Sequence, residues 1–160
     1  MDFESAYKEN YPKMFCIANK MVNDRDVSND ITQEIFAYYF EKLQGGHVIL
    51  HPQSWLVRAT VNQCVDYLNQ RKKRTSLNDA SDLTTDEQTF EIQQTDVILR
   101  QAIAELKPVE MKLIMLYSEG YSYKEIAQIA EINFSSVGKT LSRTLHKLKG
   151  ILKKMNYEMY

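Results

Sequence analysis

Apolar residues recur at steps of three and four along most of the chain, the spacing that predicts amphipathic helices. The clearest case lies between residues 122 and 154. Ser122, with Glu125 three residues on, forms a capping-box pattern and opens a short helix whose apolar side is Ile126, Ala127 and Ala130. The chain then turns through Glu131-Ile132-Asn133, where Asn133 can cap a second helix. Glu131 stands where many such turns have glycine. In the second helix Phe134, Val137, Leu141, Leu145, Leu148 and Leu152 fall on one stripe at about 100° per residue. Ser136, Lys139, Arg143, Lys147 and Lys154 fall off it. One face packs and the other is basic and hydroxylic. This is the pattern of a helix-turn-helix, whose second helix enters a major groove. Long cations reach phosphates and guanine edges, and small hydroxylic residues let the backbone come close. The plain alternative is a solvated Lys-rich helix closing a bundle.

The preceding chain carries the same period. Phe3, Tyr7, Tyr11, Met14, Ala18, Met21 and Val22 predict a first helix, which Pro12 should kink or divide. Residues 23–26 break the pattern. Ser28 or Asp26 can cap a second helix running to about Leu43, with Val27, Ile31, Ile35, Phe36, Tyr39, Phe40 and Leu43 apolar. Gln44-Gly45-Gly46 ends it, and residues 47–53 form a loop. A third helix, from about Trp55 to Arg71, has Val57, Val61, Cys64, Val65 and Leu68 as its buried stripe. Trp55, Arg58 and Asn62 project roughly opposite, and Arg71-Lys72-Lys73-Arg74 follows. An exposed aromatic beside a basic cluster suits single-stranded nucleic acid, where stacking contributes about 1–3 kcal/mol per base. Trp55 can equally be core. The period is lost over residues 76–95, an acidic and polar linker of roughly 20 residues that could reach about 70 Å when extended. Two further helices follow. One carries Val97, Ile98, Leu99, Ala102, Ile103 and Leu106 and stops near Pro108; the other runs from Val109 to Glu119, with Met111, Ile114, Met115 and Leu116 inward.

Composition narrows the functional classes. Apolar residues at 44% support a real core, and 5 Gly and 3 Pro are few. No window is apolar enough for a membrane span, and the acidic, polar start reads as no secretory signal. Cys16 and Cys64 share no motif and are expected to be buried free thiols in a reducing cytoplasm. His47 and His51 lie in a Gly- and Pro-flanked loop that does not hold them as a metal pair. Gly138-Lys139-Thr140 ends like a P-loop, but position 133 is Asn rather than the required Gly, and no strand precedes it. No catalytic constellation, cofactor site or small-molecule site is expected. The net charge of −1 hides an asymmetry. Residues 1–75 carry 10 basic and 9 acidic groups, residues 76–131 carry 4 and 11, and residues 132–160 carry 6 and 1. A local phosphate contact beside a separate acidic segment predicts weak DNA binding by the free chain, and so a partner that also holds DNA. The acidic segment is expected to compete with DNA when that partner is absent.

Several stretches in this order carry a family likeness. Asp30-Ile31-Thr32-Gln33-Glu34-Ile35-Phe36, then Ser54-Trp55-Leu56-Val57-Arg58-Ala59-Thr60-Val61-Asn62 with Asp66-Tyr67-Leu68, then Leu106-Lys107-Pro108 and Tyr123-Lys124-Glu125-Ile126-Ala127 resemble the extracytoplasmic-function class of bacterial sigma factors. The likeness covers about residues 2–158. It implies an all-α fold: a sigma2-like helical bundle (1–75), a flexible acidic linker (76–95) and a sigma4-like domain with the helix-turn-helix (96–158). It implies that Asp30, Gln33, Glu34 and Phe36 dock on the clamp helices of the largest subunit of RNA polymerase core enzyme. Loop 45–53 would capture a flipped base of the minus-ten element. Trp55, Arg58 and Asn62 would lie beside the opening strand, and Arg71, Lys72, Lys73 and Arg74 would hold phosphates. Ser136, Gly138, Lys139, Ser142, Arg143 and Lys147 would face the minus-thirty-five element of promoter DNA. Gly138 and Thr140 depart from the family, which usually has basic residues there. An anti-sigma factor is a partner by family alone. The competing reading is a stand-alone helix-turn-helix regulator that binds operator DNA as a dimer.

Overall fold

The computed structural model of the chain describes residues 2–77 and 92–155. Among these residues it is all helical: α1 (Phe3–Val22), α2 (Arg25–Gln44), α3 (Pro52–Leu77), α4 (Ile92–Ala104), α5 (Pro108–Ser118), α6 (Tyr123–Ala130) and α7 (Phe134–Lys154). The chain divides into two compact units, Met1–Asn69 and Gln70–Tyr160.

In the first unit α1 and α2 form a hairpin. Asn23 ends α1 in the left-handed region at φ 54°, and Asp24 starts α2, its carboxylate accepting from the amides of Asp26 at 3.0 Å and Val27 at 3.1 Å. The cap is therefore Asp24, not Asp26 or Ser28. Pro12 does not divide α1. It is exposed, so water can meet the Lys8 carbonyl that loses its amide partner. The hairpin is closed by rings. Tyr7 meets Phe36 edge-on at 5.0 Å, Tyr11 lies 5.7 Å from Phe36, and Phe3 meets Phe40 at 5.0 Å. Met14, Ile17 and Val22 of α1, Ile31 and Ile35 of α2, and Leu56, Val57, Val61 and Val65 of α3 complete the core.

In the second unit Leu106, Met111, Leu113, Leu116, Ile126, Ile129, Val137, Leu141, Leu148 and Leu152 are buried together. The α7 stripe differs from expectation. Thr144 is buried, while Phe134 is 62% and Leu145 42% exposed. At 100° per residue Thr144 and Leu145 lie about 50° to opposite sides of the centre set by buried Val137, Leu141, Leu148 and Leu152. The smaller residue takes the inner place because its hydroxyl donates to the Thr140 carbonyl at 2.8 Å and leaves no polar group unmet. Buried Ser28, Thr32 and Thr60 donate in the same way to carbonyls four residues back, at 2.6, 2.7 and 2.8 Å.

The expected linker loses both ends. α3 runs on to Leu77 and α4 begins at Ile92. Of the linker, residues 78–91 lie outside the described residues, and with them Asp79, Asp82 and Asp86 of the acidic segment. Cys64 is buried, and burial pushes its thiol up to about 12. Cys16 is exposed, contrary to expectation, since it lies off the stripe of Met14, Ile17 and Ala18.

Candidate nucleic-acid interface

The helix-turn-helix is built by local chemistry. The Ser122 hydroxyl accepts from the Glu125 amide at 3.2 Å, and the Ser122 amide donates to the Glu125 carboxylate at 2.9 Å. This capping box fixes the start of α6. α6 ends at Glu131, which adopts φ 58°, ψ 44°, a conformation that costs a non-glycine residue about 1–2 kcal/mol. Asn133 occupies the cap position of α7, but its side chain makes no cap bond.

On α7, Lys139, Ser142 and Arg143 are exposed and share one arc, while Ser136 and Gly138 are partly buried. A Cβ added at Gly138 would sit 3.4 Å from Cε2 of Tyr123, the first residue of α6. The position is therefore turned toward the Tyr123 ring, and its smallness serves the packing of α6 on α7. Lys147 is also committed within the fold. Its Nζ donates to Glu110 Oε1 at 3.0 Å, and the same oxygen accepts the Lys107 amide at 2.9 Å, closing the first turn of α5. Desolvation pushes the Glu110 carboxyl upward, but the Lys107 amide and the Lys147 ammonium outweigh it and hold it below the usual carboxylate range. Lys147 stays exposed, and its pair with Glu110 ties α7 to α5.

In the first unit Asp30, Gln33 and Glu34 are exposed along α2, and Gln63 of α3 donates to Glu34 at 2.6 Å. Phe36 does not share their face. It is six residues beyond Asp30, about 240° around the helix, and is buried under Tyr7 and Tyr11. Trp55, Arg58 and Asn62 are all partly buried. Trp55 stacks on Tyr38 at 5.8 Å with the planes 26° apart, and lies 5.5 Å from Tyr39.

Arg71, Lys72, Lys73 and Arg74 are exposed on the last turns of α3. Four consecutive helical residues spread around most of the axis, so one strand cannot meet all four from one side. Lys72 Nζ donates to the Ala104 carbonyl at 2.7 Å. Sequence reasoning passed over Tyr38, which is 49% exposed and has Lys42 Nζ 5.1 Å from its ring centroid. The available signal was its spacing, four and eight residues beyond Glu34 and Asp30. It also passed over Val48 and Leu50, 83% and 80% exposed in the loop before α3. Among the described residues no group of three or more His, Cys, Asp or Glu side chains could hold a metal ion, and no helix is long and apolar enough to cross a membrane.

A family model for sigma-70, region 4, matches residues 96–148, the span that holds the helix-turn-helix. The all-helical fold of the chain is similar to that of the sigma factor RpoE from Bartonella quintana, seen in co-crystal with the anti-sigma factor NepR. The TM-score is 0.64 and the identity 17%, over 95% of this chain and 97% of that one. No curated protein sequence matches the chain.

Proposed function

We propose that this chain is a sigma-70 family sigma factor of the extracytoplasmic-function type that directs RNA polymerase core enzyme to promoters and helps open them. The observation that carries the reading is the region 4 match on a helix-turn-helix whose second helix turns Lys139, Ser142 and Arg143 outward. In this reading those residues, with Ser136, meet the minus-thirty-five element. Asp30, Gln33 and Glu34 meet the clamp helices of the largest polymerase subunit. Trp55, Arg58 and Asn62 lie at the strand opening, with the basic end of α3 on phosphates. No covalent step is involved, so the work is binding energy alone. Tethering two weak DNA contacts on one polymerase makes the second contact intramolecular, which raises avidity without new contacts. The protein acts in the cytoplasm, where polymerase and promoter are. An anti-sigma factor is a further partner, supported by the likeness to RpoE, which was crystallised with one.

The test is run-off transcription with core polymerase and a random promoter library. Initiation from a subset of templates sharing two spaced elements is the expected result. A chain that neither joins the core enzyme nor directs initiation from any template would end the proposal.

A further inference from the structure

Trp55 sits in the first turn of α3, just after an exposed loop. Its amide makes an early backbone bond of that helix, to the His51 carbonyl at 3.0 Å. A helix start of this kind frays unless tertiary contacts hold it. Those contacts are two rings from α2. Tyr39 is buried and lies tilted at 5.5 Å. Tyr38 lies nearly parallel at 5.8 Å, and it is half exposed. Tyr38 is itself steadied by Lys42, one helical turn on, whose ammonium lies 5.1 Å from the ring centroid. An exposed aromatic on a helix has no packing reason to hold a single rotamer. Here it has a cation and an indole to do so.

We infer that Tyr38, held by Lys42, is a positioning residue for Trp55 in promoter opening. The inference rests on the role given to Trp55 above. The stack sets the plane of the indole and anchors the start of α3 where the loop enters it. Without the Tyr38 ring, the tilted Tyr39 is the ring left against Trp55 among the described residues, and the indole is less restrained in orientation. Binding of the closed promoter does not need that plane, whereas stacking against an unpaired base does. The loss should therefore fall on opening and spare closed-complex formation.

Trp55 is the single tryptophan, so its emission reports the stack directly. The experiment uses holoenzyme on a promoter taken from the library selection. It compares wild type with Tyr38→Ala, Tyr38→Leu, Tyr38→Phe, Lys42→Met and Trp55→Ala. For Tyr38→Ala and Tyr38→Leu the tryptophan emission should change and permanganate-detected opening should fall about three- to tenfold. Closed-complex affinity and thermal midpoint should stay near wild type. Tyr38→Phe should restore both readouts, and Lys42→Met should show a smaller loss in the same direction. Normal opening by Tyr38→Ala beside a defective Trp55→Ala overturns the inference alone. A Tyr38→Phe protein as defective as Tyr38→Ala overturns it too, since the ring would then not be what matters. Normal opening by Trp55→Ala overturns the inference together with the reading beneath it.

Discussion

Glu110 shows how much one side chain can hold. A single carboxylate oxygen completes the first turn of α5 and receives Lys147 from α7. Glu110→Gln weakens both contacts, and about 1 kcal/mol of stability in the second unit should be lost. Chemical denaturation of the full chain at neutral pH measures this. The pH dependence has a definite sign. The folded carboxyl titrates below its ordinary value of 4.5, so its stabilisation is complete above that value and fades as pH falls through the lower folded one. In Glu110→Gln that step of acid sensitivity should vanish. Arg143 gives the second prediction at this scale. It is exposed beside Lys139 and Ser142. Arg143→Ala should weaken recognition of the upstream element by about 1–3 kcal/mol and alter which sequences a promoter selection returns. A uniform loss over all sequences would instead assign Arg143 to phosphate. The sequence displayed Arg143 plainly. It could not show the commitment of Lys147, because the partner is 37 positions away on another helix.

Helices themselves were readable wherever an apolar stripe met a cap. The capping box at Ser122 and Glu125 placed α6 to the residue. Legibility failed where two residues compete for one place. Three acceptable caps lie within the five residues from Asp24 to Ser28, and only backbone geometry selects Asp24. On α7 hydrophobicity favours Leu145, yet packing buries Thr144. Leu141→Ala should therefore cost about 2–5 kcal/mol, whereas Leu145→Ala should stay within about 0.5 kcal/mol. Equal losses in denaturant titrations would restore the expected stripe. The end of α3 was missed for another reason. Its last turns lack an apolar stripe, but Gln, Arg and Lys are good helix formers and carry the helix on.

For the molecule as a whole, the loss of period after residue 76 predicts two helical bodies, whereas the compact units divide between Asn69 and Gln70, inside α3. The actual helix ends were not visible, because propensity overran the polar signal on both sides. Charge is the whole-molecule property that bears most on function. Residues 76–131 carry 4 basic and 11 acidic groups, ahead of a strongly basic end. Replacing Asp79, Asp82 and Asp86 by Asn should raise DNA binding by the free chain, most clearly at low salt where charge is least screened. Unchanged binding in a low-salt titration would show that the segment does not compete. With polymerase present the same substitutions should matter less, because the promoter is then held by more than this chain.

The contact between Gly138 and Tyr123 bears on how such a protein can change its target. Recognition helices ordinarily drift by exchanging one outward side chain at a time. At 138 that route is narrower, because a Cβ there would already touch the ring opposite at 3.4 Å. A long basic residue installed there has to turn away from the tyrosine or displace it. New sequence preferences should arise first at Lys139, Ser142 and Arg143, which are exposed and free of that constraint.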